Sequence, residues 1–110
     1  MMRVPMSPAA AALYRALVAR AQLPRDQVLL TAIRTVDWQS LTLSGERHEI
    51  GLKLTGPGSD AAATTLCDGL EDAEFAIPGL IVADIGLAGP PRPAAGGSIE
   101  ISLEALTITE

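Results

Sequence analysis

Two stretches of this chain alternate apolar and polar residues with a period of two, and that periodicity restricts the fold more than any other feature. His48, Ile50, Leu52 and Leu54 alternate with Glu49, Gly51 and Lys53, while Ile99, Ile101 and Leu103 alternate with Glu100, Ser102 and Glu104. Successive side chains of a strand point to opposite faces, so each stretch predicts a strand with one oily and one wet face. Strands of this kind need a covering layer on one side only, which is the pattern of an antiparallel sheet with helices on a single face.

Two segments supply the helices. Ser7 and Pro8 mark a start, because the hydroxyl can cap the first turn and a proline loses nothing at the first helical position. Ala10, Leu13, Tyr14, Leu17, Val18 and Ala21 then form one apolar stripe before Pro24 closes the element. After Gly56-Pro57-Gly58, Ser59 or Asp60 opens a second helix with the stripe Ala62, Ala63, Leu66, Cys67, Leu70 and Ala73, ending in an acidic edge of Glu71, Asp72 and Glu74.

The remaining segments are extended or turning. Val28 to Val36 is rich in β-branched residues and predicts a strand, with a helix as the alternative. Leu41 and Leu43 alternate with Ser40 and Thr42, and Ser44-Gly45-Glu46 carries turn chemistry, so a β-hairpin is expected to turn at 44–46. Pro78-Gly79 precedes the apolar strand Leu80 to Leu87, and the Gly- and Pro-rich segment 88–97 predicts a mobile loop. In the last strand the phase slips at Ala105-Leu106, which predicts a bulge or a change of partner.

The expected order is α-β-β-(β)-α-β-β, an α+β two-layer sandwich with an antiparallel sheet and two helices on one face. If the first two strands are one bent strand, the order is a permuted ferredoxin-like arrangement. With 110 residues, 48% of them hydrophobic, residues 1–110 form a single domain with one core, and 1–6 are expected to be a flexible N-terminus. One cysteine and one histidine exclude an internal disulfide and a Cys/His metal cluster, and no metal or other cofactor is expected.

Charge is distributed unevenly. The first 25 residues hold Arg3, Arg15, Arg20 and Arg25 with no acid, and the rest holds four bases against thirteen acids. An acidic body repels a phosphate backbone, so nucleic acid is not an expected partner. The arginine-bearing helix is read as a solvated face. No stretch has the roughly 18 apolar residues of a membrane span, and Pro5, Pro8, Arg15 and Arg20 break the Ala-rich start, so no membrane role is expected and the cytoplasm is the expected compartment.

Several residues are candidates for chemistry. Gly56-Pro57-Gly58-Ser59-Asp60-Ala61 fits the spacing of a dinucleotide loop, but the Asp60 carboxylate would repel a pyrophosphate at the helix start, so a plain strand-to-helix turn is expected. His48 and Cys67 are suited to nucleophilic chemistry, yet Cys67 falls on a buried stripe where a thiol stays un-ionised. Glu49, Asp84, Glu100 and Glu104 fall on wet strand faces beside Arg47 and Lys53. Asp84, set among apolar neighbours, is the least ordinary of them. Trp38 takes a parity different from Leu41 and Leu43, which suits either a contact anchor on the wet face or a plug at the end of the core. Pro90-Pro91-Arg92-Pro93 contains a P-x-x-P spacing and reads as a linker.

These residues point to a small non-enzymatic assembly or binding module that pairs with itself, most simply as a homodimer, or with a protein partner. Trp38, Arg47, Glu49 and Asp84 are its expected binding residues. The alternative is a ligand-binding or hydrolytic enzyme with His48 and Asp84 as catalytic candidates in a cleft under the 88–97 loop.

Overall fold

The computed structural model describes residues 6–110, so the flexible segment expected at 1–6 lies, apart from Met6, outside the described residues. The elements are α1 (Pro8–Ala21), β1 (Val28–Gln39), β2 (Ser44–Leu54), α2 (Ser59–Cys67), β3 (Leu80–Leu87), β4 (Arg92–Pro93) and β5 (Ile99–Thr109). Every pairing is antiparallel, the strand order is β1-β2-β5-β3, and the short β4 also pairs with β5. This is the expected α+β sandwich. Because β5 is antiparallel to both β2 and β3, those two run parallel, and α2 joins them across the intervening β5. That split β-α-β crossover is what a ferredoxin-like chain keeps when its first strand is moved to the end.

Both helices lay their stripes on the same sheet face. Leu13 and Leu17 of α1 and Leu66 of α2 are fully buried, as are Leu52 and Leu54 of β2, and Ile101 and Leu103 of β5 lie in the same core. Each such side chain contributes about 1.5–3 kcal/mol through burial, so this layer holds the sheet and helices together. Helix α1 starts as its sequence predicts: the Ala10 amide donates to Ser7 Oγ at 3.1 Å. The same hydroxyl donates to Glu46 Oε1 at 2.8 Å, which ties the helix start to β2.

Arg20 departs from the solvated role expected of the arginine-bearing helix. Its guanidinium reaches from α1 to the end of α2, where Nε donates to the Leu66 carbonyl at 2.8 Å and a terminal nitrogen donates to the Asp68 carbonyl. A cation satisfying the last carbonyls of a helix complements its dipole. Helix α2 gains that capping in place of a favourable charge of its own, since its last turn has no basic residue.

The hairpin turns earlier than expected. Residues 28–39 are one strand, Leu41 and Leu43 belong to the turn, and Ser44 to Glu46 are already in β2. Ser40 decides this, because its Oγ accepts from the Thr42 and Leu43 amides while its own amide donates to the Leu43 carbonyl at 2.9 Å. Gly45 serves a close approach and not a turn: a Cβ at that position would overlap the Thr107 carbonyl of β5.

Three further expectations are corrected. Helix two stops at Cys67, short of Ala73, because Gly69 adopts a left-handed conformation at φ 65° and a 3-10 turn follows at Leu70–Asp72. The bulge expected at Ala105-Leu106 is absent from β5, where Ala105 and Thr107 continue the inward face without a break. The irregularities fall instead in β1, between Leu30 and Ala32, and in β3, between Val82 and Asp84. These are the outer strands, where a bulge disrupts one ladder and a central strand would disrupt two. Segment 88–97 contains β4 and a 3-10 turn at Ala95–Gly97, and Ser59 Oγ donates to the Gly97 carbonyl at 2.7 Å.

Candidate functional site

The face of the sheet away from the helices is open, and the strand register arranges its side chains in transverse rows. The first row, beside the β1–β2 turn, runs Trp38, Gly45, Ile108, Ile81. The second runs Val36, Arg47, Leu106, Asp84, and the third Arg34, Glu49, Glu104, Gly86. Further along, Lys53 stands beside Glu100, which pairs on its other side with Arg92.

The first row is apolar throughout. Gly45 leaves a gap between Trp38 and Ile108, and Ile108 is only 5% exposed although it lies on the open face. Trp38 is half-buried, and its register with Gly45 puts it on the open face and not in the helix-covered core. Val36 and Ile81 are 43% and 48% exposed, and Leu41 and Leu43 project at the turn beside them. Met6 lies at the same end but on the helix side of the sheet, since the adjacent Ser7 bonds Glu46, which shares the parity of the inward-facing His48. Among the described residues, five of the six exposed large hydrophobics therefore gather at this end, and only Leu29 lies elsewhere.

The charges on the open face are sorted by strand. Arg34, Arg47 and Lys53 stand on β1 and β2 with one acid, Glu49, which Arg34 meets at 2.6 Å in an exposed ion pair. Glu100, Glu104 and Asp84 stand on β5 and β3 with one cation, Arg92, which approaches Glu100 at 4.0 Å on β4. One half of the face is thus basic and the other acidic. Arg47, Glu49, Asp84 and Trp38 all lie on this one surface. A shallow depression of about 270 Å³ opens where Gly51 and Ala32 leave the sheet bare, flanked by Arg34, Glu49, Ser102 and Glu104.

His48 lies on the opposite face, 1% exposed. Its Nδ1 is 3.0 Å from Thr35 Oγ1 on β1 and its Nε2 is 2.9 Å from Thr107 Oγ1 on β5, so the ring spans three strands. Thr107 Oγ1 also approaches the Glu46 carbonyl at 3.5 Å. The protonation pattern that suits all three contacts puts the hydrogen on Nε2 and leaves Nδ1 to accept from Thr35. Burial pushes the imidazole below its ordinary value, opposed in part by the nearby Glu46 carboxylate. The ring is a neutral structural crosslink.

The sheet therefore separates His48 from Asp84. The groove beside segment 88–97 is lined by Asp60, Thr64, Cys67, Asp68, Pro91 and Pro93 and includes neither of them. Cys67 does not bond His48, and burial pushes its thiol up, with Arg20 opposing. Ser59 is buried with its hydroxyl bonded to Gly97, and β2 is antiparallel to both neighbours, so residues 56–61 form a fastening between segments. Arg92 and Pro93 use their backbone to pair with β5. Among the described residues no three His, Cys, Asp or Glu side chains gather as a metal site, and no helix is long and apolar enough to cross a membrane.

Sequence reasoning missed Thr35, Thr107, Val36, Ile81 and Arg20. Thr107 was within reach: it follows Ile101, Leu103 and Ala105 at the same parity. Val36 and Ile81 carry no signal of exposure, because an apolar residue in a strand reads as core until its face is known. No family of proteins matches this chain, and no curated protein does.

Proposed function

We propose that this chain is a small, non-enzymatic, cytoplasmic assembly or binding module that works through the uncovered face of its sheet, with Trp38 as an anchor. The observation that carries the reading is the gathering of Val36, Ile81 and the turn residues Leu41 and Leu43 at the end of the open face that holds the half-buried Trp38. Isolated exposed hydrophobics are ordinary on a protein surface, whereas a contiguous group beside an aromatic residue marks a surface that is covered in use. Arg47, Glu49 and Asp84 border that group and supply the polar rim such contacts have. Nucleic acid is a poor fit to this face, because its acids match its bases in number. A catalytic reading is less well supported, since His48 is held by two threonines and Asp84 stands alone on the other side.

Hydroxyl-radical footprinting tests the proposal, with Tyr14 as the internal control because it is partly exposed on α1, on the helix side of the sheet. In concentrated solution or in the extract that expresses the protein, Trp38, Val36 and Ile81 should be protected relative to Tyr14. Labelling of all four in proportion to their free exposure under every condition would remove the reading.

A further inference from the structure

We infer that the occupant of the open face is a second copy of this chain, packed face to face about a twofold axis that runs along the seam between β2 and β5. The inference rests on the proposed use of this face and names its partner. A twofold axis along the strands keeps each transverse row at its own level and exchanges the two sides of the sheet. The β1–β2 half of one copy, basic except for Glu49, then covers the acidic β5–β3 half of the other.

At the level of the first row, Trp38 of each copy lies over Ile81 of the other, so the apolar end of one covers the apolar end of its mate. In the next row, Arg47 of each copy lies over Leu106 of the other and Asp84 over Val36, so Arg47 and Asp84 stand on adjacent columns within reach of one another, twice over. The alternative axis, across the strands, would set the apolar row against the charged row of Lys53 and Glu100 and would lay the acidic strand β5 on itself. Glu49 of each copy falls over Glu104 of the other, with Arg34 already bonded to Glu49 as the nearest cation; the remaining charges and the apolar row select this symmetry over the alternative.

The available area is sufficient. Three strands of eleven or twelve residues and one of eight, about 4.8 Å apart at about 3.3 Å per residue, present roughly 670 Å² per copy. Standard stable interfaces take about 600–1,000 Å² from each partner. Aligned sheet packing of this kind is how sandwiches close, with the mean strand directions within about 30° of one another.

Sedimentation velocity over a wide concentration range, on the wild type and on Arg47→Asp, Asp84→Arg and the double variant, tests the arrangement. Both residues are exposed, so the variants should keep the wild-type far-UV spectrum and melting temperature. The wild type should form a dimer. Each single reversal should weaken it at least about tenfold, and the double variant should recover most of the loss because the exchanged charges again face each other. Trp38→Ala should weaken the dimer without changing its salt dependence. A wild type that stays monomeric at hundred-micromolar concentration overturns the second copy, as do single reversals that leave association unchanged. The wider reading is separable: if the monomer's Trp38, Val36 and Ile81 are still protected in the expressing extract, the open face is a contact surface for a different protein, and if they are not, both ideas fail.

Discussion

Replacing Thr107 by valine isolates what the buried histidine crosslink is worth. Valine has nearly the shape of threonine, so the change leaves no cavity among residues that are themselves 1% exposed. What it removes is the oxygen 2.9 Å from His48 Nε2. A buried imidazole N–H without an acceptor loses about 1–3 kcal/mol, the desolvation cost of an unmet donor. For a chain of this size that corresponds to roughly 4 °C of melting temperature per kcal/mol. His48→Leu alone strands the two threonine hydroxyls and should cost a similar amount. The double variant His48→Leu/Thr107→Val removes donor and acceptor together, so it should be less destabilised than the two single losses combined by about 1 kcal/mol or more. Urea unfolding of the four proteins at neutral pH measures the cycle. Strict additivity, or a Thr107→Val variant within about 0.5 kcal/mol of the wild type, would refute the crosslink as a coupled unit.

The same ring makes stability depend on pH in a definite direction: its folded value is lowered by burial, so the unfolded chain takes up the proton first. Stability should be full above about pH 7 and fall as the pH drops below the unfolded value, by no more than about 1.4 kcal/mol per pH unit, until the folded form also protonates. Urea midpoints at descending pH should show this in the wild type and not in His48→Leu; identical profiles would dismiss it. Gly45→Ala should cost upwards of about 3 kcal/mol or prevent folding, because the new Cβ overlaps the Thr107 carbonyl, and near-wild-type melting would contradict the register of β2 on β5. Arg20→Met keeps the packing stem but deletes the contacts to Leu66 and Asp68, and thermal melts should register a loss of about 1 kcal/mol. Leu41→Asn, at a fully exposed turn position, should leave stability within about 0.5 kcal/mol in the same melts.

Much of the architecture can be read from residue spacing. The stripe from Ala10 to Ala21 and the alternations around Ile50 and Ile101 each report on a local geometry, and each appears where expected because the side-chain period is a property of the element itself. The hairpin turn was misplaced for a reason of the same kind. Ser44-Gly45-Glu46 has the composition of a turn, but Ser40 makes the bonds that turn the chain, and Gly45 answers to a carbonyl sixty-odd residues away. Trp38 differs in parity from Leu41 and Leu43, but those two lie at the turn and report no strand face, and only the register with Gly45 and Ile108 shows that Trp38 stands in an apolar row.

The sequence alone determined which residues are oily together: two helical stripes, two alternating strands and a single core, because those patterns arise within a few consecutive residues. The tertiary structure decided which face is left open, that Val36, Trp38 and Ile81 share one end of it, that its charges divide into a basic and an acidic half, and that His48 joins Thr35 to Thr107. Each of these depends on strand order and register, and those are settled by contacts between residues far apart in the chain, to which local periodicity is blind.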